Sequence, residues 1–153
     1  MKKILFALTL FIGFTIAASA QDYKTGIGLR GGNSSSDAAW GLSIKHFVSG
    51  KNAVEGLIYS YGHGFTLTGL YEYHNQAFDV DRLNWYIGFG AHIGSYDAGE
   101  SNDMVLGADG ILGIEYSFTE APINIGLDFN PYLNLIGDSG FKPAFALSIR
   151  YIF

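Results

Sequence analysis

Beyond residue 21 the chain alternates. Apolar or aromatic residues recur at every second position, with glycine, small polar or charged residues between them. A period of two places the two sets on opposite faces of β-strands. Residues 141–153 show it most clearly. Phe141, Pro143, Phe145, Leu147, Ile149, Tyr151 and Phe153 are all apolar, whereas Lys142, Ala144, Ala146, Ser148 and Arg150 are small or charged, and only Ile152 departs. In residues 83–94, Leu83, Trp85, Ile87, Phe89, Ala91 and Ile93 oppose Asn84, Tyr86, Gly88, Gly90 and His92.

Six further segments follow the same rule. They span residues 22–32, 39–48, 53–61, 65–73, 106–118 and 123–133. Turn-forming residues separate them: NSSSD at 33–37, SGKN at 49–52, GHG at 62–64, HNQAFDVDR at 74–82, DAGESND at 97–103, TEAP at 119–122 and GDSG at 137–140. The pattern predicts eight antiparallel strands in an up-and-down barrel, each about 9–11 residues long. Pro131 falls on the apolar parity, where it would remove a ladder hydrogen bond, so a bulge or the end of pairing is expected there.

The polar face carries the strand charges. Arg30, Lys45, Glu55, Glu72, His92, Asp109, Glu115, Asp128 and Arg150 all fall on it. The parity of residues 53–61 is the least clean, and Glu55 decides it: a carboxylate is costly against lipid, so Glu55, Leu57 and Tyr59 point in. His46 is the one polar residue on the apolar side. An eight-stranded lumen is only wide enough to be filled by side chains. Three cations and five anions there should pair into a plug, because unpaired buried charge is expensive. An open aqueous channel is not expected.

The first residues, MKKILFALTLFIGFTIAASA, combine Lys2 and Lys3, an apolar run and a small-residue site at Ala18–Ala20. They read as a cleaved signal peptide, residues 1–20, leaving a barrel over 21–153. Without Lys2 and Lys3, seven Lys+Arg face fourteen Asp+Glu. That balance argues against nucleic acid as a partner. The absence of cysteine removes both a lipoprotein anchor and disulfides. Charged residues are 15% of the chain against about 25% in soluble domains, and aromatics are 16%. Both suit a membrane barrel.

The terminal aromatic, with apolar residues at alternate positions before it, resembles the last strand of bacterial outer-membrane β-barrels. GLYEYH, LNWYIGFGAHIG and LGADGILGIEYSF resemble recurring segments of small outer-membrane proteins of Bacteroidota, within the broader OmpX/OmpA-type eight-stranded class. The resemblance implies that Phe145, Leu147, Ile149, Tyr151 and Phe153 form the signal read by the barrel assembly machinery. It also implies that both termini lie in the periplasm of a Gram-negative bacterium. Outward aromatics near that end should form a girdle, with Tyr23, Tyr71, Tyr73, Trp85, Tyr116 and Phe118 as members. Trp40, Phe65 and Phe141 mark a thinner outer rim.

No catalytic, metal or cofactor site is expected. A lipid-modifying enzyme, as a few small barrels are, needs a serine with a base in reach. The chain has no His-x-Ser, and His92 and Ser95 are three apart, on opposite faces. The acidic stretch at 97–103 lacks the spacing of a calcium loop and reads as a solvated surface loop. The structural rival is a soluble lipocalin-like barrel, with its apolar face inside. The expected protein is a monomeric outer-membrane barrel that contacts lipid and has a structural or surface-interaction role.

Overall fold

A computed structural model describes residues 23–34, 37–61, 64–97, 102–137 and 140–153. The predicted leader and parts of four loops, including 98–101 of the acidic stretch, lie outside these residues. The described residues form ten strands: β1 Thr25–Ser34, β2 Asp37–Phe47, β3 Asn52–Tyr61, β4 Gly64–Gln76, β5 Leu83–Asp97, β6 Asn102–Ser117, β7 Ile123–Phe129, β8 Tyr132–Ile136, β9 Gly140–Lys142 and β10 Ala144–Ile152. All their pairings are antiparallel.

β8 continues β7, and β9 leads into β10, so the ten strands make eight staves. Successive strands pair from β1 to β7, β7 pairs with β10, and β10 pairs with β1. The sheet therefore closes into an eight-stranded antiparallel barrel. Closure satisfies backbone groups that an open sheet would leave at its edges. At one end, here the terminal end, Thr25 N–H donates to Phe153 O at 2.9 Å. The opposite end is the loop end.

The two prolines of the last staves are placed where they cost little. β6 pairs Leu112 with Phe129 and Asp109 with Tyr132, so register runs unbroken past Pro131. Gly110 N–H donates to Pro131 O at 2.8 Å. Proline cannot return that bond, and the Asn130 side-chain amide donates to Gly110 O instead, at 2.6 Å. Phe129 pairs with Phe145 and Tyr132 with Lys142, which sets Pro131 opposite Pro143. Asn130 N–H donates to Ala144 O at 2.8 Å. The alternation of an antiparallel ladder then makes the proline pair a non-hydrogen-bonded one, needing no N–H between the two. The bulge expected at Pro131 is thus absent. The irregularity falls one turn of the pleat further on, at Leu106/Gly107 opposite β8.

Glycine lets the first and last strands close. A Cβ on Gly28 would lie 1.9 Å from Ile149 O on the neighbouring strand. No side chain fits there while β1 and β10 keep their pairing.

Candidate functional site

Parity separates two surfaces. The outer face is apolar from end to end: Leu29, Leu42, Ile44, Ile58, Leu67, Ile87, Phe89, Ile93, Leu112, Leu127, Leu147 and Ile149 are all exposed. The inner face holds buried charge. Arg30, Lys45, Glu55, Glu72, Asp109, Glu115, Asp128 and Arg150 are buried, and so is His92. This inverts a water-soluble protein, where charge is exposed and apolar bulk is hidden. Val54, Gly56 and Ile58 face outward, so Glu55 set the parity of β3 correctly.

The lumen is filled in layers. At the terminal end Tyr23, Phe47, Ala53 and Ile152 pack together. Tyr23 and Phe47 meet edge to face, with ring centroids 5.1 Å apart. Above them lies the ionic layer. Lys45 Nζ is 2.7 Å from Glu72, 3.2 Å from Glu115 and 3.6 Å from Glu55, and it lies 4.1 Å from the centroid of the Tyr86 ring. Arg150 donates to Glu55 at 2.5 Å, Ser43 at 2.7 Å, and Asn124 and Ser148 at 3.2 Å. Ser43 in turn donates to Glu55 at 2.6 Å. Arg30 grips both oxygens of Asp128 and also bonds Tyr59 and Ser148. Tyr86 donates to Asp128 at 3.0 Å.

Toward the loop end the next inward residues are apolar. Leu57, Leu70 and Ile111 pack with Tyr86. Leu57 and Leu70 each stand two residues beyond a network glutamate, Glu55 and Glu72. The ionic layer thus has apolar packing on both sides. Beyond it lies a separate polar cluster, with His92 bonded to Asp109 at 2.7 Å and Asn134 at 3.0 Å. Burying this many charges costs free energy unless each is paired and hydrogen-bonded. Here the multiple donors of Arg and Lys meet carboxylates brought in by β3, β4, β6 and β7.

Two placements differ from the sequence expectation. Tyr23 is not in the outer girdle. The chain bends at Lys24, and Tyr23 turns into the lumen, where it is 7% exposed and donates to Glu115 at 3.1 Å. Its parity was read from a strand that begins only at Thr25. His74, expected in a connection, is still within β4. It is buried, bonded to Glu72 at 2.8 Å and stacked on Tyr86 with ring centroids 4.9 Å apart. Extending the alternation two residues past Glu72 would have found it. Phe47 lies in the lumen by the same parity as Lys45.

The other girdle residues, Tyr71, Tyr73, Trp85, Tyr116 and Phe118, lie on the outer face near the terminal end, as do Tyr151 and Phe153. They meet in cross-strand and same-strand pairs: Tyr73 with Trp85 at 6.1 Å and Tyr116 with Phe118 at 5.1 Å. Phe145, Leu147, Ile149, Tyr151 and Phe153 form the exposed face of β10 and the residue after it. His46, the polar residue on the apolar side, is matched across the strand by Thr25, whose hydroxyl lies 2.8 Å from its Nδ1.

These features define an all-β, closed eight-stranded barrel with an apolar outer face, and the solved structures it resembles share that fold. The N-terminal β-barrel domain of Pseudomonas aeruginosa OprF aligns with a TM-score of 0.65 at 17% identity, covering 83% of this chain and 96% of that one. Neisserial surface protein A aligns with a TM-score of 0.55 at 14% identity, covering 84% of this chain and 94% of that one. No family model matches the chain, and no curated protein does. At these identities the shared property is the fold.

Proposed function

We propose that the chain is an integral outer-membrane barrel with a plugged lumen and a structural or surface-interaction role. The observation that carries this is the inverted wall: apolar side chains ring the outside while the strand charges pair inside. Such a surface is compatible with hydrocarbon and incompatible with dissolved monomers. The terminal end, with its ring of aromatics, is assigned to the periplasm, and β10 to recognition by the assembly machinery. The barrel acts as a monomer in contact with lipid.

Two alternatives find less support. A lipocalin-like barrel would line its cavity with apolar residues, whereas here Arg30, Lys45 and Arg150 occupy it. A lipid-modifying enzyme would use a histidine to activate a hydroxyl. His92 instead spends its second ring nitrogen on the Asn134 side chain.

Fractionation with heat-modifiability tests the proposal. The expected result is an outer-membrane band whose gel mobility shifts on boiling, together with a silent planar bilayer. A soluble periplasmic protein with no shift would overturn the membrane assignment. Discrete conductance would overturn the plug.

A further inference from the structure

The turn between β4 and β5 is unlike the other two described turns at the terminal end. Residues 49–52 and 119–122 carry no large apolar side chain except at their flanks. Residues 77–82 carry Phe78 and Val80, and Phe78 is 86% exposed, more than any other large apolar side chain described. Its conformation is hydrogen-bonded and unfavourable for its sequence. Val80 N–H donates to Ala77 O at 3.0 Å, Leu83 N–H to Val80 O at 3.3 Å, and Ala77 N–H to Leu83 O at 2.8 Å. Phe78 and Asp79, the central residues of the first turn, have φ of 52° and 54°, and Arg82 has φ of 64°. Two consecutive positive φ angles are those of a type I′ turn, which favours Asn-Gly. Phenylalanine is a poor residue for that position. A side chain that both strains its turn and exposes its ring is one whose use lies outside the chain.

The position of the turn says what meets the ring. Tyr73 and Trp85, the outward pair of the girdle, stand on the same two strands, and β4 runs only three residues from Tyr73 to Gln76. Aromatic belts sit at headgroup level. A few residues of tilted strand place Phe78 within roughly 10 Å of that belt, comparable to the depth of the polar interface. We infer that the β4–β5 turn is an interfacial anchor, with Phe78 and Val80 seated in the lipid headgroup region of the periplasmic leaflet. Asp79 and Asp81 are both exposed and remain in water beside them. The anchor would fix the depth and rotation of the barrel at one point of its circumference. The inference rests on the membrane reading above.

The test uses single-tryptophan forms of the full barrel in phosphatidylcholine–phosphatidylglycerol vesicles. Phe78→Trp with Trp40→Phe and Trp85→Phe places the only indole in the turn, and Trp40→Phe alone leaves Trp85 as the reporter of the wall. Brominated lipids should quench the turn indole to an extent comparable with Trp85, and aqueous iodide should leave its emission nearly unchanged. Strong iodide quenching of the turn, with Trp85 still quenched by lipid, would overturn the anchor and leave the membrane barrel intact. If neither is quenched by lipid, the membrane reading itself fails. Iodide access in vesicles that is lost in native outer membranes would overturn the lipid assignment in favour of a protein partner. Phe78→Asn offers a second readout. It should raise the unfolding midpoint in detergent by relieving the turn, and a lowered midpoint would remove the strain on which the inference draws.

Discussion

Arg150 gives the sharpest test of the lumen. Replacing it with Met keeps most of the stem and removes the guanidinium. Five lumen groups lose a partner or neighbour: Glu55 at 2.5 Å, Ser43 at 2.7 Å, Asn124 and Ser148 at 3.2 Å, and Glu115 at 3.8 Å. Glu55 is affected most. It is left with the Ser43 hydroxyl at 2.6 Å and Lys45 at 3.6 Å, a cation already shared with Glu72 and Glu115. Breaking a buried pair from one side costs about 3–5 kcal/mol, because the remaining charge cannot reach water. That corresponds to roughly two to four powers of ten in the folding equilibrium. The assay is urea unfolding of the refolded barrel in lipid vesicles, followed by Trp40 and Trp85 fluorescence. Adding Glu55→Gln removes the orphaned charge, and the double variant should recover at least about 2 kcal/mol of the loss, since neutral replacements of buried pairs are often tolerated. If Arg150→Met lies within about 1 kcal/mol of the parent, the lumen is wet and the charges are solvated. If the double variant is destabilised by the sum of the two singles, Arg150 and Glu55 do not act as a pair.

Three further outcomes probe other parts of the structure. Leu42→Arg, mid-strand on the outer face and paired with Leu29 and Ile58, should destabilise the barrel in bilayers by about 2–4 kcal/mol, whereas a water-exposed wall would accept it with little change. Asn130→Ala leaves Gly110 O without the donor that replaces the missing proline N–H, and a loss of about 1–3 kcal/mol in the same unfolding assay is expected. Gly28→Ala drives a methyl against Ile149 O, so the variant should fail to reach the heat-modifiable form even where it is expressed and delivered. A normal gel shift for that variant would mean that β1 and β10 do not meet in the register described.

How much of this was legible in one chain depends on what a period of two can carry. Alternation assigns faces because successive side chains in a strand must point to opposite sides. Arg30, Lys45, Glu72, Glu115 and Arg150 could therefore be placed in the lumen from parity alone, and Glu55 could settle β3 because its charge excludes the other face. The eight-stave count followed from turns that break the alternation at regular intervals. Parity fails where the strand does. Tyr23 was misplaced because the bend at Lys24 turns its ring inward, and His74 was lost because a polar run, HNQ, looks like a loop whether or not it is still paired.

That the lumen charges pair was legible, but not which carboxylate meets which cation. Which carboxylate meets Lys45 depends on register and stagger around a closed ring, and those are fixed only when β1 finds β10, more than a hundred residues away in the chain. The facing prolines show the same limit. Pro131 alone looked like a break in its strand. Only the register that sets Pro131 against Pro143, with Asn130 supplying the missing donor, shows why the wall continues past them. Local pattern determined what is inside and what is outside, and closure of the sheet decided which charges neutralise one another.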